Sequence, residues 1–97
     1  PDSPERRYFP ETGHSLAYGF KEFWENNGGV ALFGYPISEE FVENGRTVQY
    51  FERARFEYNP NATDEESRIT LGLLGREALQ RMGWLPRPPI DTTMLTR

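Results

Sequence analysis

The sequence predicts a small α+β domain, in which an antiparallel sheet of three or four strands carries two helices packed on one face. Two observations lead to this fold class. An Asn44-Gly45 dipeptide separates two alternating segments, as in a tight hairpin. Apolar residues also recur at helical spacing before this hairpin and again near residue 80. The 97 residues suffice for a single domain. We expect its core over about residues 8–85, a lead-in over 1–7 and an extended tail or linker over 86–97.

The first predicted helix carries one apolar stripe with a polar end, formed by Leu16, Phe20, Phe23, Trp24 and Asn27. Thr12 or Ser15 is expected to cap its start. The Asn26-Asn27-Gly28-Gly29 segment is expected to end it, because Asn and Gly tolerate the left-handed conformation. A second helix is predicted over about residues 72–82, with a stripe formed by Leu71, Leu74, Ala78 and Met82. Gly83 would end this second helix.

The hairpin is the strongest local signal, because both central residues of a type I′ turn need a positive φ and Asn-Gly adopts it readily. The turn fixes the register, so three facing pairs are expected: Glu43 with Arg46, Val42 with Thr47, and Phe41 with Val48. A third strand is predicted over residues 55–58 and a fourth over residues 68–71.

The two faces of this sheet are predicted to differ. If Arg53-Ala54 forms the turn before the third strand, Phe51 opposes Phe56, and the core face carries Val42, Phe51, Phe56 and Tyr58. Seven Phe, five Tyr and two Trp predict a core led by aromatic side chains. The opposite face would present apolar and aromatic residues ringed by charges, which is typical of a binding surface. Its candidate contact residues for a partner or glycan are Phe41, Arg46, Tyr50, Arg55 and Glu57.

Composition excludes several classes of function. The net charge of −4 and the scattered Arg residues argue against nucleic-acid binding. The sequence has no apolar run long enough for a transmembrane segment or a signal peptide. Cysteine is absent, which rules out disulfides and thiol chemistry. The first residue is Pro1 rather than Met, so we expect a piece of a longer or processed protein.

No residue pattern predicts catalysis, a cofactor or a metal site. His14 is the only histidine, and with no cysteine beside it a zinc site is not expected. Its predicted role is to shape the start of the first helix. Several glutamates near the hairpin have a spacing compatible with a glycoside hydrolase pair, but a chain this short has little room for the deep cleft that tunes such an acid. Their alternation with arginine favours cross-strand ion pairs on a solvated face.

Several short motifs follow one another along residues 8–79. They are Phe9-Pro10-Glu11-Thr12-Gly13-His14, Phe23-Trp24, Gly28-Gly29, Phe33-Gly34-Tyr35-Pro36-Ile37-Ser38 and Gln49-Tyr50-Phe51-Glu52-Arg53-Ala54-Arg55-Phe56-Glu57. Together they resemble a small module of exported bacterial proteins, chiefly of Chloroflexota, that accompanies cell-wall and glycan-processing domains. A more distant resemblance is to the LGFP repeat of cell-wall-associated proteins, from whose Leu-Gly-x-Pro the Phe33-Gly34-Tyr35-Pro36 segment departs.

The resemblance implies an extracellular or wall-associated module and brings no catalytic residues. We therefore expect a non-catalytic accessory module of an exported protein that contacts a cell-wall polymer or glycan. A protein–protein or self-association module is the alternative, and a small glycan hydrolase is a remote third. A glycan array would separate the first from the second, whereas an exposed apolar sheet edge or a dimer in solution would favour the second.

Overall fold

The computed structural model describes residues 2–64 and 67–86. A two-stranded antiparallel sheet, formed by β1 (Arg6–Phe9) and β2 (His14–Ala17), is followed by the helices α1 (Tyr18–Asn26) and α2 (Gly29–Phe33). A four-stranded antiparallel sheet then runs in chain order through β3 (Phe41–Glu43), β4 (Arg46–Phe51), β5 (Ala54–Tyr58) and β6 (Ile69–Leu73). The helix α3 (Arg76–Arg81) follows. The predicted α+β class is confirmed, and of the tail predicted over 86–97, residues 87–97 lie outside the described residues.

The hairpin has the predicted geometry. Asn44 and Gly45 have φ angles of 52° and 80°, as a type I′ turn requires. Glu43 pairs with Arg46, and the other two predicted pairs of β3 and β4 follow in the same register. This turn is therefore specified by the local sequence alone.

The turn between β4 and β5 was predicted in the wrong place. Glu52 and Arg53 form it, so that Phe51 opposes Ala54 rather than Phe56. Contacts outside the hairpin hold both turn residues. The Glu52 carboxylate accepts the Tyr35 N–H at 2.9 Å, and the Arg53 guanidinium donates to the carbonyl of Val30, the second residue of α2. Moving the turn by one residue shifts the pairing of β5 with β4 by two residues. Because side chains alternate with a period of two, each side chain of β5 keeps its predicted face.

The first helix begins later than predicted, because residues 14–17 form β2 instead. They pair with β1, so the lead-in takes part in a small sheet that the periodicity did not predict. Neither Thr12 nor Ser15 caps α1: its N-cap residue is Ala17, without a side-chain hydrogen bond. The Tyr18 N–H donates to the Glu5 carbonyl at 2.7 Å. This contact ties the first turn of α1 to the segment before β1.

The larger apolar cluster lies between the four-stranded sheet and the helices α1 and α2. As predicted, aromatic rings lead it, and Phe56 is at its centre. Its ring centroid lies 4.2–5.7 Å from those of Phe20, Phe23, Phe33 and Phe51. A fully buried Gln49 links β4 to the neighbouring segments, since its amide donates to two carbonyls, those of Ser15 and Ser38, at 2.9 and 2.8 Å.

A second apolar cluster covers the opposite face, which corrects the prediction that both helices share one face. Leu79 of α3 is fully buried against Val48 and Tyr50. The helix is shorter than predicted because β6 continues to Leu73. Gly83, with φ 85°, ends it in a Schellman motif: the Trp84 N–H donates to the Leu79 carbonyl and the Gly83 N–H to that of Gln80. The chain after α3 thereby folds back onto the sheet.

Candidate functional site

Tyr50, the centre of the predicted binding face, is buried, so its predicted role as a contact residue is wrong. Only 1% of it is exposed, because α3 covers it and the Trp84 ring stacks on it at a centroid distance of 4.6 Å. Its hydroxyl donates to the Glu43 carboxylate at 2.9 Å. Burial, and next this hydrogen bond, raise the pKa of Tyr50 above its ordinary value of 10.0. The ring therefore serves the second apolar cluster.

The charged residues around Tyr50 bind one another. Arg55 donates to Glu43 at 3.1 Å and to Glu57 at 2.9 Å, and Arg46 donates to Glu57 at 3.2 Å. Burial would lower the pKa of Arg55, but its bonds to Glu57 and Glu43 outweigh burial and raise it. The network contains as many arginines as glutamates. Phe41, Arg46, Arg55 and Glu57 retain some exposure at its rim, and their role in binding stays a prediction.

A polar cluster forms where β2 meets the segment before β3. Glu39 accepts hydrogen bonds from the Ser15 N–H at 2.8 Å and the Ser15 hydroxyl at 2.7 Å, and its carboxylate lies 3.0 Å from Nδ1 of His14. Burial tends to raise the pKa of Glu39, but these hydrogen bonds outweigh it and lower the pKa below 4.5. The Glu39 carboxylate lies between the histidine and the serine, so it links the segment before β3 to β2. The histidine is therefore not placed to act as a general base for the serine hydroxyl.

An open groove lies over the other face of the sheet, beside the start of α1. It has a volume of about 470 Å³. Its lining includes three aromatic residues, one acid and one base: Tyr18, Gly19, Phe20, Glu40, Thr47, Tyr58 and Arg68. Two further hollows of about 430 and 360 Å³ also border Gly19. Gly19 is therefore a lining residue of all three hollows near the start of α1.

Tyr18 is the most unusual residue of this groove. Its φ is 49°, a left-handed conformation that is uncommon for a bulky residue and is strained by about 1–2 kcal/mol. Nevertheless 68% of the residue is exposed, so burial of the ring does not compensate for the strain. Strained residues that the fold retains are concentrated at functional sites. Tyr58, which is 37% exposed, is the second tyrosine of the lining.

Charged groups border the two tyrosines. Glu40 is in the segment that leads into β3, and Arg68 immediately precedes β6. Burial raises the pKa of Glu40 above 4.5, although Arg6 partly offsets this. The groove thus combines aromatic surface with polar groups at its edge, which is the usual composition of a small-ligand site.

Sequence reasoning missed this groove. One signal was present, since Tyr18 is an aromatic residue that lies off the apolar stripe predicted for the first helix. The second tyrosine, Tyr58, was correctly placed on the core face, but it lies at the end of β5, where α1 does not cover it fully.

Within residues 2–64 and 67–86, no three His, Asp or Glu side chains form a group that could hold a metal ion. The described helices include none that is long and apolar enough to cross a membrane. No known protein family, curated protein or solved structure matches the chain.

Proposed function

We propose that this domain is a non-catalytic accessory module of an exported protein and that it binds a cell-wall polymer or glycan in the groove at the start of α1. The observation that carries this proposal is Tyr18, an exposed tyrosine held in a strained conformation at the mouth of that groove. Export and wall association are supported by the resemblance of the motifs over residues 8–79.

The groove suits a sugar polymer physically. A tyrosine ring offers an apolar face to the C–H surface of a sugar and a hydroxyl at its edge. Tyr18 and Tyr58 provide two such rings, and Glu40 and Arg68 provide groups that hydrogen-bond sugar hydroxyls or amides. An open groove is also accessible to the middle of a long chain, whereas an enclosed cavity admits only small molecules or chain ends.

The environments of the carboxylates support binding without catalysis. Glu43, Glu52 and Glu57 are held in hydrogen bonds to Tyr50, Tyr35 and Arg55, and Glu39 is held by Ser15. Glu40 remains in the groove, but a glycosidase needs a pair of carboxylates flanking the bond. The charge of one partly exposed glutamate is better suited to orienting a ligand.

The test compares wall-polysaccharide binding by the wild-type domain and by Tyr18→Gly, using pull-down on insoluble wall material and a glycan array. Glycine relieves the positive φ, so we expect Tyr18→Gly to be at least as stable as wild type and to bind at least about tenfold more weakly, as expected when one aromatic anchor is lost. Tyr8→Ala is the matched control, because Tyr8 is exposed but lies outside the groove.

Equal binding by the wild type and Tyr18→Gly would contradict the proposed site. Binding of no polysaccharide by the wild type would contradict the ligand class. Release of cleaved sugar from wall material, lost in Glu40→Gln, would contradict the non-catalytic role.

A further inference from the structure

Strand β6 lies at one edge of the four-stranded sheet. It pairs with β5 on one side, and no other strand within residues 2–64 and 67–86 pairs with its other side. Edge strands usually avoid further pairing by being short or by carrying charge or proline. The opposite edge follows this rule, since β3 has only three residues and includes Glu43. Strand β6 has five residues, Ile-Thr-Leu-Gly-Leu, without charge or proline.

The backbone hydrogen bonds at both ends of β6 fix the direction of its free groups. The Leu74 N–H donates to the Arg53 carbonyl, and the Asn59 N–H donates to the Arg68 carbonyl, both at 2.7 Å. Both contacts continue the register in which β5 and β6 pair. Positions 68 and 74 are therefore bonded positions of the ladder, and bonded and non-bonded positions alternate in antiparallel strands.

It follows that Thr70 and Gly72 direct their backbone groups toward β5. The free N–H and C=O groups at the open edge belong to the three apolar residues, Ile69, Leu71 and Leu73. Their side chains share one face of the sheet, the face that carries α1. Ile69, Leu71 and Leu73 therefore provide both the outward-facing backbone groups of the edge and its apolar side chains.

We propose that β6 pairs with β6 of a second copy of this chain, antiparallel about a two-fold axis at Leu71, to form a continuous eight-stranded sheet. In this register Leu71 opposes Leu71 of the other copy, and Ile69 opposes Leu73 in both directions. All three pairs are hydrogen-bonded ones, so six backbone hydrogen bonds form from groups that are free at the edge of a single copy. The proposal is independent of any ligand in the groove.

The side chains favour a second copy over an unrelated strand. The apolar positions 69, 71 and 73 are symmetric about Leu71, so self-pairing places apolar residues opposite apolar residues on the face that carries α1, while Thr70 opposes Gly72 on the other face. Leu73 is 61% exposed and Leu71 39%, whereas Ile69 packs against the larger apolar cluster. Pairing thus puts the exposed Leu73 of each copy beside Ile69 of the other copy, which already packs against the larger apolar cluster. The two α1 helices lie at opposite ends of the joined strands, each near the Ile69 of its own copy.

The experiment measures oligomeric state by analytical ultracentrifugation over a range of concentrations, and amide hydrogen exchange by NMR. We expect a dimer in which the amides of Ile69, Leu71 and Leu73 are protected. L71K places two like charges opposite each other and should raise the dissociation constant by at least about tenfold. In the resulting monomer these three amides should exchange fast, while those of Thr70 and Gly72 remain protected.

Two further variants make the result specific. L73K should also weaken the dimer, since Leu73 opposes Ile69 near each end of the joined strands. Val42→Lys is the control, because Val42 is on the same face at the opposite edge and is 70% exposed, so the dimer should persist. The proposal is overturned by a chain that stays monomeric at all concentrations, by a dimer that survives both L71K and L73K, or by a monomer whose 69, 71 and 73 amides are already protected.

Discussion

Gly34 is the glycine at which substitution by alanine should lower the free energy of unfolding most. It ends α2 with φ 80° and ψ −178°, a region open essentially only to glycine. A Cβ at this position would lie 2.5 Å from the Glu52 Cβ and 2.8 Å from its Oε1. Glu52 is poorly placed to move away, because its carboxylate accepts the Tyr35 N–H and its backbone forms the turn between β4 and β5. The Gly34 carbonyl also accepts the Trp24 indole N–H at 2.9 Å.

Two costs therefore combine in Gly34→Ala. The backbone strain is about 1–3 kcal/mol, and forcing an atom into a filled site typically costs about 1–3 kcal/mol more. We expect a loss of about 2–6 kcal/mol in the free energy of unfolding. Gly45→Ala is the control without the close contact, because Gly45 also has a φ of 80° but no atom within 4 Å of the added Cβ. It should lose only about 1–2 kcal/mol.

The assay is urea unfolding followed by circular dichroism, with the slope of the transition checked for two-state behaviour. A double variant, Gly34→Ala with Glu52→Gly, removes the clashing Cβ and should destabilise less than the sum of the single changes. Losses for Gly34→Ala and Gly45→Ala that agree within about 0.5 kcal/mol, together with additive behaviour of the double variant, would refute the close packing of Glu52 on Gly34.

Two further changes test the polar contacts inside the fold. Gln49→Met preserves the length of the side chain but leaves the Ser15 and Ser38 carbonyls without their donor, so urea unfolding should show a loss of about 2–4 kcal/mol; a loss below about 0.5 kcal/mol would contradict this linking role. Because the pKa of Glu39 lies below 4.5 in the fold, its hydrogen bonds stabilise the protein above that pH and are lost as pH falls through the folded pKa. The stability advantage of the wild type over Glu39→Gln should accordingly shrink on acidification, and a difference independent of pH would contradict it.

The hairpin and the faces of the sheet were predictable because short-range rules decide them. Asn44 and Gly45 require no partner elsewhere to adopt positive φ angles. The turn at Glu52-Arg53 was not predictable in this way, since contacts with Tyr35 and α2 hold its two residues. The face of Phe56 was nevertheless predicted correctly, because a turn displaced by one residue shifts the pairing by two residues, which is the side-chain period of a strand.

The start of α1 and the buried Tyr50 show where pattern reasoning fails. Leu16 fits the helical spacing of apolar residues, but the pairing of residues 14–17 with β1 outweighs that preference. Likewise, charges around Tyr50 predicted an open face, whereas the six-residue helix α3 and Trp84 suffice to cover it. Both outcomes depend on segments that are distant in sequence or too short to give a clear periodic signal.

The groove and the β6 edge adjoin each other, because Tyr58, which lines the groove, pairs with Ile69 at the start of β6. Joining two copies through β6 would leave both grooves on the same face of the extended sheet, one near each Ile69. A polymer long enough to reach both would then engage two sites at once, and its second contact would form at a high effective concentration. A shallow groove with modest affinity for a single sugar unit would gain most from such pairing, so the two proposed surfaces are physically compatible and mutually reinforcing.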